Sequence, residues 1–278
     1  MKSGLAELTI AYQGEPGAYS EGAAMALFPG SRTTGYRTFA MAFEALGEGQ
    51  VQAAVLPVEN TLGGIVQEVN DLLWETPGLR VTGEHVHPVR HCLIGAPGEV
   101  VTRALSHPQA LSQCRHWLRE RGIEEVVGHD TAGSVRELAE HPQPGLGAIA
   151  SAEAAARYGL SVLAEGIQDD ASNRTRFLVI DRGRPRRPGV AAPGSKTSLA
   201  FIAAHRPGSL VRALQALSDR GVNLSRLDSR PLSDRPFEYR FYMDFEVQVS
   251  SAAEAALNGL ETETSELRLF GTYPAFVG

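Results

Sequence analysis

In the first part of the chain, short apolar runs alternate with stretches of helical spacing. LTIAYQG precedes SEGAAMALF, and VQAAVLPVE precedes NTLGGIVQEVNDLLWE, where Ile65, Val69, Leu72 and Leu73 recur on one helix face. TRALS leads to HPQALSQCRHWLRERG, and LGAIA leads to SAEAAARYG. This alternation predicts α/β layers around a largely parallel sheet. Residues 81–96, VTGEHVHPVRHCLIGA, hold two strand-like pieces, as expected where a chain passes between two lobes.

The rhythm changes after residues 181–196, DRGRPRRPGVAAPGSK, which lack apolar periodicity and read as an exposed linker. KTSLAFIAA then reads as a strand and SLVRALQALSDRG as a helix with Leu210, Leu214 and Leu217 on one face. VNLSRLDSRP and YRFYMDFEVQ read as strands, SAAEAALNGLETE as a helix and ELRLFGTYP as a last strand. The order β-α-β-β-α-β is that of a ferredoxin-like unit. The expected division is 1–182, a linker 183–195, and 196–278.

At 278 residues, 43% hydrophobic and 21% charged, the chain can bury one large or two ordinary cores. Its net charge of −6 supplies no general field for nucleic acid, so a small anion must be met by local groups. Cys92 and Cys114 form no disulfide framework. The start, MKSGLAELTI, lacks a signal-peptide apolar core, and no apolar run approaches membrane length, which gives the expectation of a cytoplasmic protein.

Several apparent motifs fail on context. GLGAIA (145–150) matches a dinucleotide fingerprint, but the match includes the strand itself. Gly189 to Thr197 nearly spells a P-loop, but Ser195 interrupts it and a strand follows. His85, His87 and His91 are close in sequence, yet Pro88 between them suits residues flanking a strand better than metal ligands.

The polar residues of interest sit where strands give way to helices, the place where α/β sheets bind ligands. GEPGAYSE (14–21), PVENT (57–61), SHPQ (106–109) and HDTAGS (129–134) lie at such turns. Each has a structural reading. Ser106 and Gln109 fit a capping box, Asp130 or Thr131 and Asn60 or Thr61 suit caps, and Glu59 complements a helix dipole. SNRTRFLVI (172–180) adds two arginines and a threonine at the mouth of a core strand. In a regular strand Thr175 and Phe177 face one side and Arg174 and Arg176 the other; at a cleft rim both sets reach a ligand.

Taken in order, these segments resemble the prephenate dehydratase family with a C-terminal ACT regulatory domain, over nearly the whole chain. GEPGAYSE is similar to its N-terminal motif, and PVENTLGG, SHPQALSQC and SNRTRF to its active-site segments. RPGSLV and LDSRP are similar to the two effector-binding motifs. The resemblance implies an α/β catalytic part of two lobes, like periplasmic binding proteins, with the active site between them. It also implies a ferredoxin-like ACT domain that binds phenylalanine between paired subunits, hence a homodimer or homotetramer. The implied reaction converts prephenate to phenylpyruvate, water and carbon dioxide in phenylalanine biosynthesis, under feedback by phenylalanine, with no cofactor or metal. With GEPGAYSE almost at the first residue and no chorismate mutase segment before it, a monofunctional enzyme is expected.

Carried over by this resemblance, the catalytic residues are Thr175, Glu59 and Asn60. The substrate contacts are Ser106, Gln113, Arg176, Phe177, Asn173, Thr61, Thr131, Tyr19 and Ser20. The effector contacts are Gly208, Ser209, Leu210, Asn223, Leu224, Asp228, Ser229 and Arg230, with Ser209 and Asp228 replacing the family's usual Ala and Glu. Prephenate gains an aromatic ring as it reacts, so the protein needs only to hold two carboxylates and help hydroxide leave. Thr175 would donate to the departing hydroxyl, Arg176 would hold a carboxylate, and Glu59, if burial raised its pKa, would be the acid. Two other readings compete: arogenate dehydratase, and a sensor that binds aromatic amino acids without turnover.

Overall fold

The computed structural model describes residues 8–204, 206–232, 235–236 and 238–277. The chain forms two compact units, one of residues up to Gln67 with His85–Phe177, the other of Glu68–Glu84 with Leu178 onward. Among the described residues the fold is mixed α/β with three sheets.

The first unit opens with β1 (Thr9–Gln13), α1 (Tyr19–Leu27), β2 (Arg32–Tyr36), α2 (Phe39–Glu48), β3 (Ala53–Asn60) and β4 (Gly64–Ile65). β1 pairs in parallel with both β2 and β3, and β4 folds back antiparallel on β3 with Glu59 opposite Ile65. Here the sequence expectation needs correction. The helix placed from Asn60 onward, α3, spans Gln67–Glu75, because Gly64 with φ +76° turns the chain into a hairpin first. Ile65 therefore lies on β4, off the helix face.

β5 (Leu79–Pro88) follows, and then β6 (Cys92–Gly95), β7 (Arg103–Ser106), α4 (Pro108–Gln113), α5 (Arg115–Glu120) and β8 (Glu124–Val127). The one helix expected over 107–122 is two, broken at Cys114, whose ψ of 13° interrupts the helical path. α6 (Thr131–Glu140), β9 (Leu146–Ala150), α7 (Ala152–Tyr158), β10 (Ser161–Glu165) and β11 (Arg174–Arg182) complete this stretch. The second sheet runs β10-β6-β9-β7-β8. β7 is parallel to β8 and β9, whereas β6 is antiparallel to β9 and β10, so this sheet is mixed.

In the second unit, β12 (Ser195–Ala203), α8 (Ser209–Ser218), β13 (Leu224–Pro231), β14 (Tyr239–Val247), α9 (Ser250–Thr262) and β15 (Thr264–Pro274) form an antiparallel sheet ordered β13-β14-β12-β15. Leu199, Phe201, Met243 and Phe245 pack on Ala213, Leu217, Leu257 and Leu260 from α8 and α9. Each buried branched or aromatic side chain there contributes about 1.5–3 kcal/mol. The segment expected as an exposed linker also makes contacts with α9. Arg187 bonds Glu254 at 2.6 Å and Asn258 at 2.8 Å, and Pro188 is buried.

Candidate active site

A cavity of about 390 Å³ lies within the first unit. Its polar lining comes from Tyr19 and Ser20 at the start of α1, Asn60 at the end of β3, and Gln109 and Gln113 on α4. Thr131 at the start of α6 and Thr175 on β11 also face it. Val66, Val89, Ile65 and Phe177 give it an apolar wall, the mixture expected of a small-molecule site.

The GEPGAYSE loop is fixed from both sides. Gly17 N–H donates to Glu21 Oε2 at 2.7 Å, and Ser151 Oγ donates to the Gly17 carbonyl at 2.7 Å. Gly17 has φ +90°, and a Cβ there would come within 2.6 Å of Ala154 Cα, so only glycine lets the loop sit against α7. This sets the first turn of α1, with Tyr19 and Ser20, at the cavity.

The amide of Asn60 organises the opposite wall. Its Oδ1 accepts from the backbone N–H groups of Leu62 (3.0 Å) and Gly63 (2.6 Å) in the β3–β4 turn. Its Nδ2 lies 2.9 Å from Thr175 Oγ1, 2.8 Å from Asn173 Oδ1 and 3.0 Å from the Arg174 carbonyl. Asn173, fully buried, passes the pattern on, its Nδ2 donating to Gln113 Oε1 at 3.0 Å. Since Asn60 donates to Thr175 Oγ1, the Thr175 hydroxyl proton is left to be donated into the cavity.

Other expected residues lie around this centre. Thr61 stands outside the lining, where its Oγ1 accepts from Arg174 N–H at 3.0 Å and its N–H donates to the Arg174 carbonyl at 2.9 Å. Ser106 is fully buried at the end of β7, paired with Val127, and its hydroxyl donates to the Ile149 carbonyl at 2.7 Å. The capping box read at SHPQ is therefore absent: His107 is the cap, its Nδ1 accepting from Gln109 N–H at 3.2 Å. Asp130 does cap α6, accepting from Gly133 N–H at 2.5 Å. β11 is regular from Arg174, so Thr175 and Phe177 face the cavity and the arginines do not. Arg174 donates to the Ala171 and Asn173 carbonyls. Arg176 lies 3.9 Å from Glu59, whose side chain is 44% exposed rather than buried.

One residue at the cavity escaped the sequence reading. His91 is 2% exposed, with Nε2 2.8 Å from Gln113 Oε1 and Nδ1 3.0 Å from Tyr19 Oη. Burial holds its pKa below the ordinary histidine value, opposed by the bond to Gln113. Burial likewise pushes the Tyr19 phenol well above its ordinary value. Spacing gave no signal for His91, because its partners lie 22 and 72 residues away.

In the second unit, Gly208, Ser209 and Leu210 line a separate cavity of about 510 Å³ with Arg206, Tyr239 and Phe241. The other expected effector residues are placed elsewhere on the same chain. Asn223 accepts from Glu246 N–H through its carbonyl, and Leu224 pairs with Phe245. Asp228 pairs with Arg226 at 2.6 Å, Arg230 with Asp71 at 2.6 Å, and Ser229 is exposed on the opposite face of β13.

Comparison with known proteins places the chain. The arogenate dehydratase/prephenate dehydratase 1 of Arabidopsis thaliana, described as chloroplastic, is 41% identical over 96% of this chain and 72% of its own length. A prephenate dehydratase from Arthrobacter aurescens, solved with L-Phe, is 30% identical with a TM-score of 0.87, covering 98% of this chain and 93% of its own. GqqA, described as a novel type of quorum quenching acylase, is 37% identical with a TM-score of 0.88, covering 96% of this chain and 98% of its own. The chloroplastic relatives overturn the expectation of a cytoplasmic protein, since lack of an apolar leader-like run does not fix a compartment. Among the described residues no helix is long and apolar enough to cross a membrane. The sequence profile of the family described as prephenate dehydratase matches residues 10–185, and the chain belongs to that family.

Proposed function

We propose that the chain catalyses loss of water and carbon dioxide from prephenate, giving phenylpyruvate for phenylalanine synthesis, under feedback by phenylalanine. The observation that carries this reading is the Asn60–Thr175 pair, which places a hydroxyl held by an amide at the cavity. A departing hydroxide needs such a donor at the point where its charge develops. As it leaves, the ring's electrons fill from the breaking C–C bond, carbon dioxide departs and aromatisation drives the reaction downhill. The N–H groups opening α1 and α6, beside Ser20 and Thr131, suit the substrate carboxylates. Arg176, on the other side of β11, belongs with Glu59 at the rim. Amide hydrolysis, the kind of activity named for GqqA, asks for a nucleophile beside a base, and Thr175 sits beside an amide instead.

In this reading residues 1–182 form a two-lobed catalytic domain of the periplasmic-binding-protein kind, 183–195 connect, and 196–278 form a ferredoxin-like ACT domain. The β-α-β-β-α-β order and the glycine-edged cavity at Gly208 support the second assignment. Phenylalanine occupies that cavity, and a second copy of the chain contributes the LDSRP face, giving a homodimer or homotetramer.

The test is to follow phenylpyruvate from purified protein and prephenate near neutral pH, with and without phenylalanine. Formation above the uncatalysed rate, suppressed by phenylalanine, is expected. Formation indifferent to phenylalanine would remove the regulatory assignment, and no formation would remove the catalytic one.

A further inference from the structure

The orientation of three linked amides at the cavity, Asn60, Asn173 and Gln113, follows from two groups that cannot turn over. The Leu62 and Gly63 N–H groups are donors, so the Asn60 atom facing them is Oδ1 and the atom facing β11 is Nδ2. Asn173 must then turn Oδ1 to Asn60 and Nδ2 to Gln113. Gln113 must in turn present Oε1, which accepts from Asn173 at 3.0 Å and faces His91 Nε2 at 2.8 Å. Facing an acceptor, that nitrogen carries a proton. The neutral ring is thus assigned as the Nε2–H tautomer, whose Nδ1 shares the single Tyr19 phenol proton with the Arg90 carbonyl, 3.0 and 2.7 Å from Tyr19 Oη.

We propose that His91 is a positioning residue for the dehydration. Its Nε2–H holds Gln113 Oε1 in place, which turns the Gln113 NH₂ toward the bound substrate and keeps Asn173, Asn60 and Thr175 in register. This rests on the prephenate dehydratase reading. The backbone around His91 is built for such a task. Its N–H donates to Gln168 Oε1 at 3.0 Å and its carbonyl accepts from Ile167 N–H at 3.0 Å. The ring is therefore held at both nitrogens and on both sides of its peptide. Without the Nε2 donor, Gln113 Oε1 loses one of its two bonds, and rotation of the amide would turn NH₂ against NH₂ at Asn173. The error then passes along three side chains to the Thr175 hydroxyl, and small displacements of a reacting group are enough to cost about 100-fold in rate.

The test pairs His91→Leu, which removes the donor, with His91→Gln, whose amide nitrogen can reach the Nε2 position. His91→Leu is expected to lower kcat on prephenate about 100-fold with KM changed less than about threefold, and His91→Gln to recover about tenfold of that loss. Thermal unfolding of both variants separates a folding defect from a positioning one. Equal kcat in His91→Leu and wild type, or a loss confined to KM, would overturn the proposal while leaving wild-type turnover, and so the functional reading, intact. A second measurement does not depend on turnover. The ¹⁵N spectrum of the histidines should show His91 as the Nε2–H tautomer, and an Nδ1–H tautomer would overturn the proposal even if the wild type proved inactive on prephenate.

Discussion

Gly63 and Gln109 meet so closely that no side chain fits between them. A Cβ on Gly63 would overlap Gln109 Nε2 and stand 3.2 Å from Asn60 Oδ1. The turn that orients Asn60 is thereby pressed against the first turn of α4. Gly63→Ala must displace either the Gln109 side chain or the turn itself. We predict a fall in kcat/KM of about tenfold, equivalent to about 1.4 kcal/mol. Gly63→Ala with Gln109→Ser should regain most of it, because the obstruction is a side-chain end. Steady-state kinetics on the two variants decide the matter, and an unimpaired Gly63→Ala would show that the closeness has no catalytic weight.

Thr175→Ser keeps the hydroxyl and should keep kcat within about tenfold, whereas Thr175→Val should lose about 10²–10⁴. Asn60→Asp should be as damaging as Thr175→Val. It replaces the donor facing Thr175 Oγ1 and Asn173 Oδ1 with an oxygen, which sets acceptor against acceptor at Asn173 and draws the Thr175 proton away from the cavity. The comparison is of kcat at saturating prephenate, and an active Thr175→Val enzyme would end the role given to the hydroxyl.

Stability should decline on the acid side from histidine alone before carboxylates contribute. Burial holds the pKa of His85, His87 and His91 below the ordinary 6.5, helped at His87 by the neighbouring charge of His85. Below pH 6.5 the unfolded chain takes up protons that the folded chain refuses. Protons therefore favour unfolding, and stability falls as pH falls through that window. Unfolding free energy measured by denaturant between pH 7 and about 5 should slope downward. His85→Gln with His87→Gln should flatten the slope, and an unchanged slope in that variant would assign it to other groups.

Asp71, on α3, gathers three partners from the second unit's sheet: Arg230 Nε at 2.6 Å, Tyr242 Oη at 2.7 Å and Arg240 Nη1 at 3.5 Å. Its side chain is only 16% exposed, so the charge is sheltered from solvent. Asp71→Asn should cost about 2 kcal/mol, within the range for hydrogen bonds to charged groups. Denaturant unfolding gives the number, and a loss below about 0.5 kcal/mol would mean that the cluster behaves like a surface ion pair.

What could be read from the sequence depended on how local the cause was. The α/β alternation and the β-α-β-β-α-β order were legible because each element carries its own periodicity. Asn60, Gln113 and Thr175 were found through resemblance, and they converge from the end of β3, the last residue of α4 and the start of β11. The misplacements have local physical reasons. Ser106 reads as a cap in SHPQ, but β7 runs through it and moves the cap to His107. Arg176 was expected to reach the ligand across an irregular rim, whereas β11 alternates from Arg174 onward and carries its guanidinium to Glu59. His91 was weighed in the sequence only as a metal ligand or a residue flanking a strand, since the partners it has at the cavity are distant in sequence.

The wall built on Asn60 has a consequence for the end of the catalytic cycle. In the proposed arrangement Thr175 offers the cavity a proton, while one of its two lone pairs is engaged by Asn60. Prephenate brings an oxygen to meet that proton; phenylpyruvate, having shed its ring hydroxyl, brings none at that place. Once the released water has gone, the product offers the half-buried donor no partner of its own. In the proposed role of Thr175, the hydroxyl that draws the leaving group away thus also holds what remains less firmly, which favours clearing of the cavity.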